Sequence, residues 1–315
     1  MTTSIVATSG KAPRKTLRPE RPGSLHRRRQ RVGWLFVAPF TAVFIAFLIV
    51  PLGYAFWLSL HTKSLAFGTS FTWFENYAKV LDDPAFVRGV VRVAAFAVVM
   101  VPLQILLALS VALVLDTLTT RLAAFSRLMI FVPYAVPAVI GAMMWGFLYS
   151  PNFSPANGLF EFFGAQAPNF LGSDSIFWSL VNVVTWQWVG YYMIIIYSAL
   201  QGVDPEIYEA ARLDGAGGWQ TAIRIKTPII SSTLVLITVF SLIGTLQFFN
   251  EPQVLQAVAP SVLIPEYTPN MYSFAQAFSY SAFNYASAIS FSLGVVVFIG
   301  SYLFLFLTRK RSGLS

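Results

Sequence analysis

The sequence predicts an all-α, polytopic integral membrane protein with six transmembrane helices and both termini in the cytoplasm. Three observations predict it: too little charge to face water, six apolar stretches of spanning length, and Lys and Arg gathered in alternate connecting segments. Apolar residues make up 56% of the 315 and charged residues only 11%, against about 25% charged in an ordinary soluble domain. There is no cysteine, which excludes disulfides, thiolate metal sites and cysteine nucleophiles. The two histidines, His26 and His61, fall in polar or boundary segments and leave little for a metal site.

The first element is a basic tail, residues 1–32, which mixes Lys, Arg, Pro, Gly, Ser and Thr without periodicity and is expected to be disordered. Its Arg27–Arg31 cluster is placed to touch anionic lipid. The transmembrane domain follows over 33–308, and residues 309–315 form a second tail. Spans are expected near Trp34–Leu60, Val90–Leu115, Leu128–Tyr149, Ile176–Leu200, Ile229–Phe249 and Ala286–Leu307. Each is long enough to cross a hydrocarbon core of about 30 Å. Each must be helical, because a lone segment in lipid has to satisfy its own backbone hydrogen bonds. The first apolar run is too long for a signal-peptide core and no small-residue cleavage site follows it, so it reads as an uncleaved span.

Orientation comes from the connecting segments. Lys11, Arg14, Lys15, Arg18, Arg21, Arg27, Arg28, Arg29 and Arg31 precede the first span. Arg121 and Arg127 follow the second, Arg212, Arg224 and Lys226 follow the fourth, and Arg309, Lys310 and Arg311 follow the sixth. The opposite side holds only Lys63, Lys79, Arg88 and Arg92, and the segments 150–175 and 250–285 hold none. The net charge of +8 is therefore a topology signal rather than a nucleic-acid patch. Arg92, about one turn inside the second span, is expected to snorkel to the interface. Glu251 and Glu266 fall in or beside the last outer loop and read as solvated.

The loop 202–228, between spans four and five, is built differently. Asp204 can cap a helix whose first residue is Pro205. Gly215, Gly217 and Gly218 then end it in a sharp turn. A second short amphipathic helix is expected from Trp219 to Lys226, ending before Pro228. Ala210 and Ala211 would admit a close backbone approach, and Glu209 offers a charge-assisted partner to a cation on another protein.

Glu209-Ala210-Ala211, three residues, Gly215, nine residues, Ile225, one residue, Thr227-Pro228 resembles the EAA signature of binding-protein-dependent importer permeases, the membrane subunits of bacterial ATP-binding-cassette importers. Thr227 stands where that pattern usually has Leu. The run from Tyr208 to Ala216 is similar to the sugar-importing branch, that of the maltose and glycerol-phosphate permeases. Val37-Ala-Pro39 with Pro51, Glu75-Asn-Tyr77, and Phe131-Val-Pro-Tyr134 with Pro137 add to the resemblance. The resemblance implies a MetI-like permease fold in the inner membrane. It implies that Tyr208, Glu209, Ala210, Ala211, Asp214 and Gly215 couple to an ATPase. It also implies a second six-helix permease subunit, a cytoplasmic ATP-binding-cassette dimer and an extracytoplasmic solute-binding protein as partners.

Polar and aromatic residues inside spans are the usual markers of a pathway. Span four carries Thr185, Trp186, Gln187, Trp188, Gly190, Tyr191 and Tyr192; span five ends with Gln247 and Asn250. Aromatic faces can stack on a pyranose, and amides suit hydroxyls as both donors and acceptors. The resemblance places a sugar site on these two spans, with Trp186, Trp188, Gly190, Gln247 and Asn250 as candidates. Interface anchoring of Trp and Tyr and a helix–helix hydrogen bond from Gln187 are the competing roles.

There is no G-x-x-x-x-G-K-[ST] loop, no Ser–His–Asp arrangement and no metal cluster. ATP is expected to bind on a separate subunit, and this chain is expected to need no cofactor and to be no enzyme. An ion-driven secondary transporter is the alternative. It is disfavoured because such carriers often place carboxylates or His within their spans.

Overall fold

The computed structural model describes residues 22–64, 68–118, 121–151, 154–164 and 166–308. Most of the basic tail, 1–21, and the tail 309–315 lie outside the described residues. The described residues fall into two compact units, divided after Tyr54.

In the first unit, α1 (Pro22–Phe44) passes through a wide turn, Ile45–Ile49, into α2 (Val50–Ser59), which runs on into the second unit. The helix therefore starts ahead of its apolar stretch, within the segment expected to be disordered. Pro22 at the first position suits helix initiation.

The second unit opens with an antiparallel hairpin, β1 (His61–Ser64) and β2 (Gly68–Phe71), with His61 opposite Phe71. Helix α3 (Glu75–Asp82) is locked to it by buried Asn76, whose amide donates to the carbonyls of Ser59 at 2.8 Å and His61 at 3.0 Å. Helix α4 (Pro84–Asp116) starts on an Asp83 cap that accepts the Ala85 N–H, with Pro84 in the first turn. Then come α5 (Arg121–Ala135), α6 (Ala138–Tyr149), α7 (Pro155–Phe162) and α8 (Ile176–Gln201). The loop that follows contains α9 (Pro205–Leu213), α10 (Gly218–Thr221) and α11 (Thr227–Ile229). The chain continues through α12 (Ser231–Leu246), α13 (Asn250–Leu255) and α14 (Pro269–Phe274) to α15 (Phe283–Thr308).

Among the described residues, five helical stretches are long and apolar enough to cross a membrane: Gly33–Ser59, Pro84–Asp116, Ile176–Gln201, Ser231–Leu255 and Phe283–Thr308. A bent pair makes the sixth, and here the expectation needs correcting. The third span is not one helix but two, meeting at 95°. Pro137 has φ −53° and ψ 134°, outside the helical region. A proline disfavours helix at the residue before it and offers no N–H to the turn behind it. The freed carbonyl of Val136 is recovered by Gln187 of α8, whose amide donates to it at 3.1 Å, as backbone at membrane depth requires.

The fifth span is interrupted too. Helix α12 ends at Leu246, three residues before the expected boundary. Phe249 leaves helical geometry at φ −145°, and α13 begins at Asn250. Pro252 explains the site of the break: in a continuous helix it would clash with the carbonyl four residues back, whereas in the first turn of α13 it costs nothing.

The core forms where α4, α8 and α12 meet. Phe96, Met100, Leu180 and Val183 fill one half, and Ala108, Ala112, Met193, Ile196 and Ile237 fill the other. The two alanines, one turn apart, let α8 approach α4 closely.

Candidate functional site

A cavity of about 430 Å³ opens among α4, the end of α5, α8, α12 and the break before α13. On one side Tyr134, Trp188, Tyr191 and Tyr192 form an aromatic wall. The Tyr134 ring stacks on Tyr191 at 4.5 Å and meets Trp188 edge-on at 5.4 Å. Also in the lining, the Ser241 hydroxyl donates to the Gln104 side-chain oxygen at 2.8 Å, fully inside the protein. The interrupted helix supplies Gln247 and Asn250, both exposed toward the cavity. Neither side-chain amide has a hydrogen-bond partner among the described residues. The break is itself held in place, because the Asn270 amide donates to the Gln247 carbonyl at 2.7 Å.

The five candidates from the sequence divide. Trp188, Gln247 and Asn250 line the cavity. Trp186 points elsewhere and meets Trp145 edge-on at 5.8 Å, against Gly141. Gly190 acts through packing: a Cβ there would lie 2.0 Å from the Ile130 carbonyl oxygen. Its absence lets α5 and α8 cross closely enough to set Tyr134 against Trp188 and Tyr191. Glu251 is a correction. It is buried and lines the cavity rather than being solvated, because α13 packs against α6, with Leu255 over Gly146. Glu266 is half-buried. Arg92 does not snorkel freely either. It donates to the Tyr267 carbonyl at 2.7 Å and lies over that ring at 4.3 Å; burial of Tyr267 raises its phenol above the ordinary pKa, although the Arg92 charge acts to lower it.

The loop 202–228 folds much as its local signals require. The Asp204 carboxylate accepts the Glu206 N–H at 3.0 Å and Pro205 opens α9. Gly215 sits at φ +82° with open space around it, so conformation rather than crowding demands glycine. Asp214 is the C-cap. One expectation fails: the second loop helix does not stop before Pro228. It widens over Ala222–Lys226 and continues through Pro228 into α11, and the wider turn relieves the carbonyl clash a proline imposes on the turn before it.

The signature residues also separate into two faces. Glu209 and Ala210 point outward, together with Leu213, 90% exposed, and Trp219, 79% exposed. Ala211 is buried and Tyr208 half-buried against the rest of the chain. Burial raises the Tyr208 phenol above its ordinary pKa, and nearby Asp116 adds to the shift.

Residues 84–311, well over half of the chain, match the family described as binding-protein-dependent transport system inner membrane component. The chain belongs to this family. It is a multi-pass membrane permease and not an enzyme. It is 30% identical over 292 residues to the lactose transport system permease protein LacF of Rhizobium radiobacter, covering 91% of this chain and 97% of that one. The diacetylchitobiose uptake system permease protein NgcF of Streptomyces coelicolor is also 30% identical, over 97% of this chain and 91% of its own. In fold, the permease resembles a chain of a bacterial alginate ABC transporter crystallised with an alginate pentasaccharide-bound periplasmic protein. The TM-score is 0.81 at 18% identity, covering 93% of this chain and 99% of that chain. Membership displaces the ion-driven carrier as a reading.

Sequence reasoning missed Gln104, Tyr134, Ser241 and Glu251 in the permease cavity. Gln104 carried a usable signal, an amide in the middle of a long apolar span. Tyr134 reaches the cavity only because α5 breaks after Ala135, and Glu251 only because the fifth span resumes after its break.

Proposed function

We propose that this permease carries an uncharged di- or oligosaccharide inward, received from an extracytoplasmic binding protein and driven by a separate ATP-binding-cassette dimer docked on the 202–228 loop. Both termini are then cytoplasmic, as the distribution of Lys and Arg implies, and a second six-helix permease subunit completes the pathway. The observation that carries the reading is the cavity itself: its lining combines aromatic side chains with two amides that have no hydrogen-bond partner among the described residues. Such a lining offers stacking to a pyranose and donors and acceptors to its hydroxyls. Among the described residues that line it none is a Lys, Arg or His, and one is a carboxylate, Glu251. An acidic sugar would enter without a countercharge. Relatives named for lactose and diacetylchitobiose uptake favour neutral saccharides.

The exposed apolar side chains of Leu213 and Trp219 beside Glu209 suit burial in a partner's cleft, with the glutamate facing a cation. The test is uptake in a strain lacking this permease, with and without the chain restored, across neutral and uronic-acid oligosaccharides. Restored ATP-dependent uptake of neutral sugars alone is expected. Transport confined to acidic sugars would overturn the charge argument, and uptake that persists without ATP would overturn the importer.

A further inference from the structure

One cluster of charged and polar groups lies apart from the cavity. Asp116, the last residue of α4, forms an ion pair with Lys226, and their side chains are only 6% and 11% exposed. The Gln201 amide at the end of α8 donates to the other oxygen of Asp116 at 2.7 Å. The Lys226 ammonium also lies 4.7 Å from the centre of the Tyr208 ring, on α9. Asp116 is electrostatically misplaced: the C-terminal end of a helix carries partial negative charge and favours a cation. Here an acid occupies that end, and a second helix terminus lies beside it. Buried Lys226 compensates both.

The cluster draws in the inner ends of the cavity's walls. Helix α4 runs from Asp116 to Gln104, about 18 Å along a helix axis, and Gln104 lines the cavity. Helix α8 runs from Gln201 to Tyr192 and Trp188, which line it as well. Helix α12 starts just beyond Lys226 and reaches the cavity at Ser241. Tyr208 belongs to the helix whose opposite face carries Glu209 and Leu213.

We propose that Asp116, Lys226, Gln201 and the Tyr208 ring form the joint through which displacement of the 202–228 loop is transmitted to the three helices walling the cavity. They are positioning residues for transport and do not touch the solute. The proposal rests on the importer reading above. A buried ion pair is a poor device for stability, since an apolar pair of similar volume is often neutral or better. As a joint it does what apolar contact cannot, fixing one orientation among four elements.

The experiment uses the whole transporter, with its partner permease, ATPase and binding protein, in proteoliposomes. Sugar imported per ATP hydrolysed is measured alongside ATPase co-purification and melting temperature. Lys226→Met leaves Asp116 unpaired at two helix ends and is expected to lower both import per ATP, about tenfold, and melting temperature. The neutral pair Asp116→Asn with Lys226→Met removes the orphan charge. It is expected to restore melting while import per ATP stays low. The exchanged pair Asp116→Lys with Lys226→Asp is expected to recover at least half of wild-type coupling. If the neutral pair restores coupling along with melting, the cluster is structural and the proposal is overturned. Loss of ATPase co-purification in the neutral pair would also overturn it, by making the cluster part of the docking surface. A wild-type complex without ATP-driven import would instead overturn the importer reading, and with it the joint.

Discussion

At the cavity, the side-chain amides of Gln247 and Asn250 are exposed and have no hydrogen-bond partner among the described residues; at the root of the 202–228 loop, the Asp116 carboxylate is bonded to both the buried Lys226 ammonium and the Gln201 amide. Both regions put polar side chains at the edges of apolar helices, and in sequence they look alike. The difference lies in where the hydrogen bonds go. A polar group that the fold leaves unbonded but exposed in a cavity can be satisfied by a ligand. One that the fold satisfies across several elements holds those elements in register. The cavity should therefore respond to mutation through substrate affinity, and the loop root through coupling and stability.

The largest expected effect tests the loop side. Gly215→Pro fixes φ near −65° where the chain needs +82°, so α10 would leave α9 in a different direction. Glu209→Lys reverses an exposed charge on the outward face. Each should abolish uptake while membrane insertion, assayed by fractionation, stays normal, because neither alters an apolar span. Normal uptake in both variants would detach the loop from coupling and dissolve the comparison.

Gly190 controls the geometry behind the aromatic wall. Gly190→Ala places a methyl 2.0 Å from the Ile130 carbonyl oxygen, and relief requires α5 and α8 to separate. A loss of about 1–3 kcal/mol in stability is expected, read as a lower melting temperature, with uptake falling in parallel because Tyr134 moves away from Trp188. A variant that melts normally but binds sugar poorly would instead make Gly190 a contact in the pathway.

These two glycines mark what the sequence could reveal and what it could not. Gly215 was legible, because a helix cap at Asp204, a proline at 205 and a glycine after Leu213 are signals within a dozen residues. The spans were legible for the same reason, as uninterrupted apolar length. The breaks were not. Pro137 and Pro252 coincide with breaks, yet Pro102 sits inside α4 and Pro39 inside α1. Proline alone does not decide, since neighbouring helices settle whether the freed carbonyl finds a donor. Glu251 was misread because it follows an apolar run, where a loop is the ordinary continuation. The pairing of Asp116 with Lys226 joins residues 110 positions apart, and no local pattern carries it.

The cavity side is tested by Gln247→Ala and Asn250→Ala. If each amide gives one net hydrogen bond of about 0.5–1.5 kcal/mol to a sugar hydroxyl, each variant should raise the apparent KM for uptake by roughly two- to twelvefold. Melting temperature and ATPase association should not change, because neither side-chain amide has a hydrogen-bond partner among the described residues. Loss of melting temperature without a change in KM would move both residues to the structural side of the comparison.

The smallest effect comes from a third polar cluster, at the start of α4. The Asp83 carboxylate accepts the hydroxyls of Tyr272 at 2.6 Å and Tyr285 at 2.8 Å, joining α4 to α14 and α15. Burial acts to raise its pKa, but the two tyrosyl hydroxyls and the Ala85 and Phe86 amides outweigh it and leave the group below its ordinary value of 3.8. Burial and the same carboxylate push the Tyr272 phenol up to about 12, so it remains a donor throughout the neutral range. A carboxyl depressed in the folded state contributes stability that is fully present above 3.8 and fades as pH falls through its lower folded value. Tyr272→Phe removes one donor and lets the folded pKa climb back toward 3.8. The variant should lose about 1 kcal/mol at neutral pH, seen as a lower melting temperature. That deficit should shrink as pH drops below 4, where Asp83 becomes protonated in folded and unfolded chains alike. Because this cluster is bonded within the fold, as the loop root is, the KM for sugar should stay at its wild-type value. A raised KM with unchanged melting would mean that a satisfied polar cluster can still serve the solute, and the distinction between bonded and free groups would no longer sort the permease into its parts.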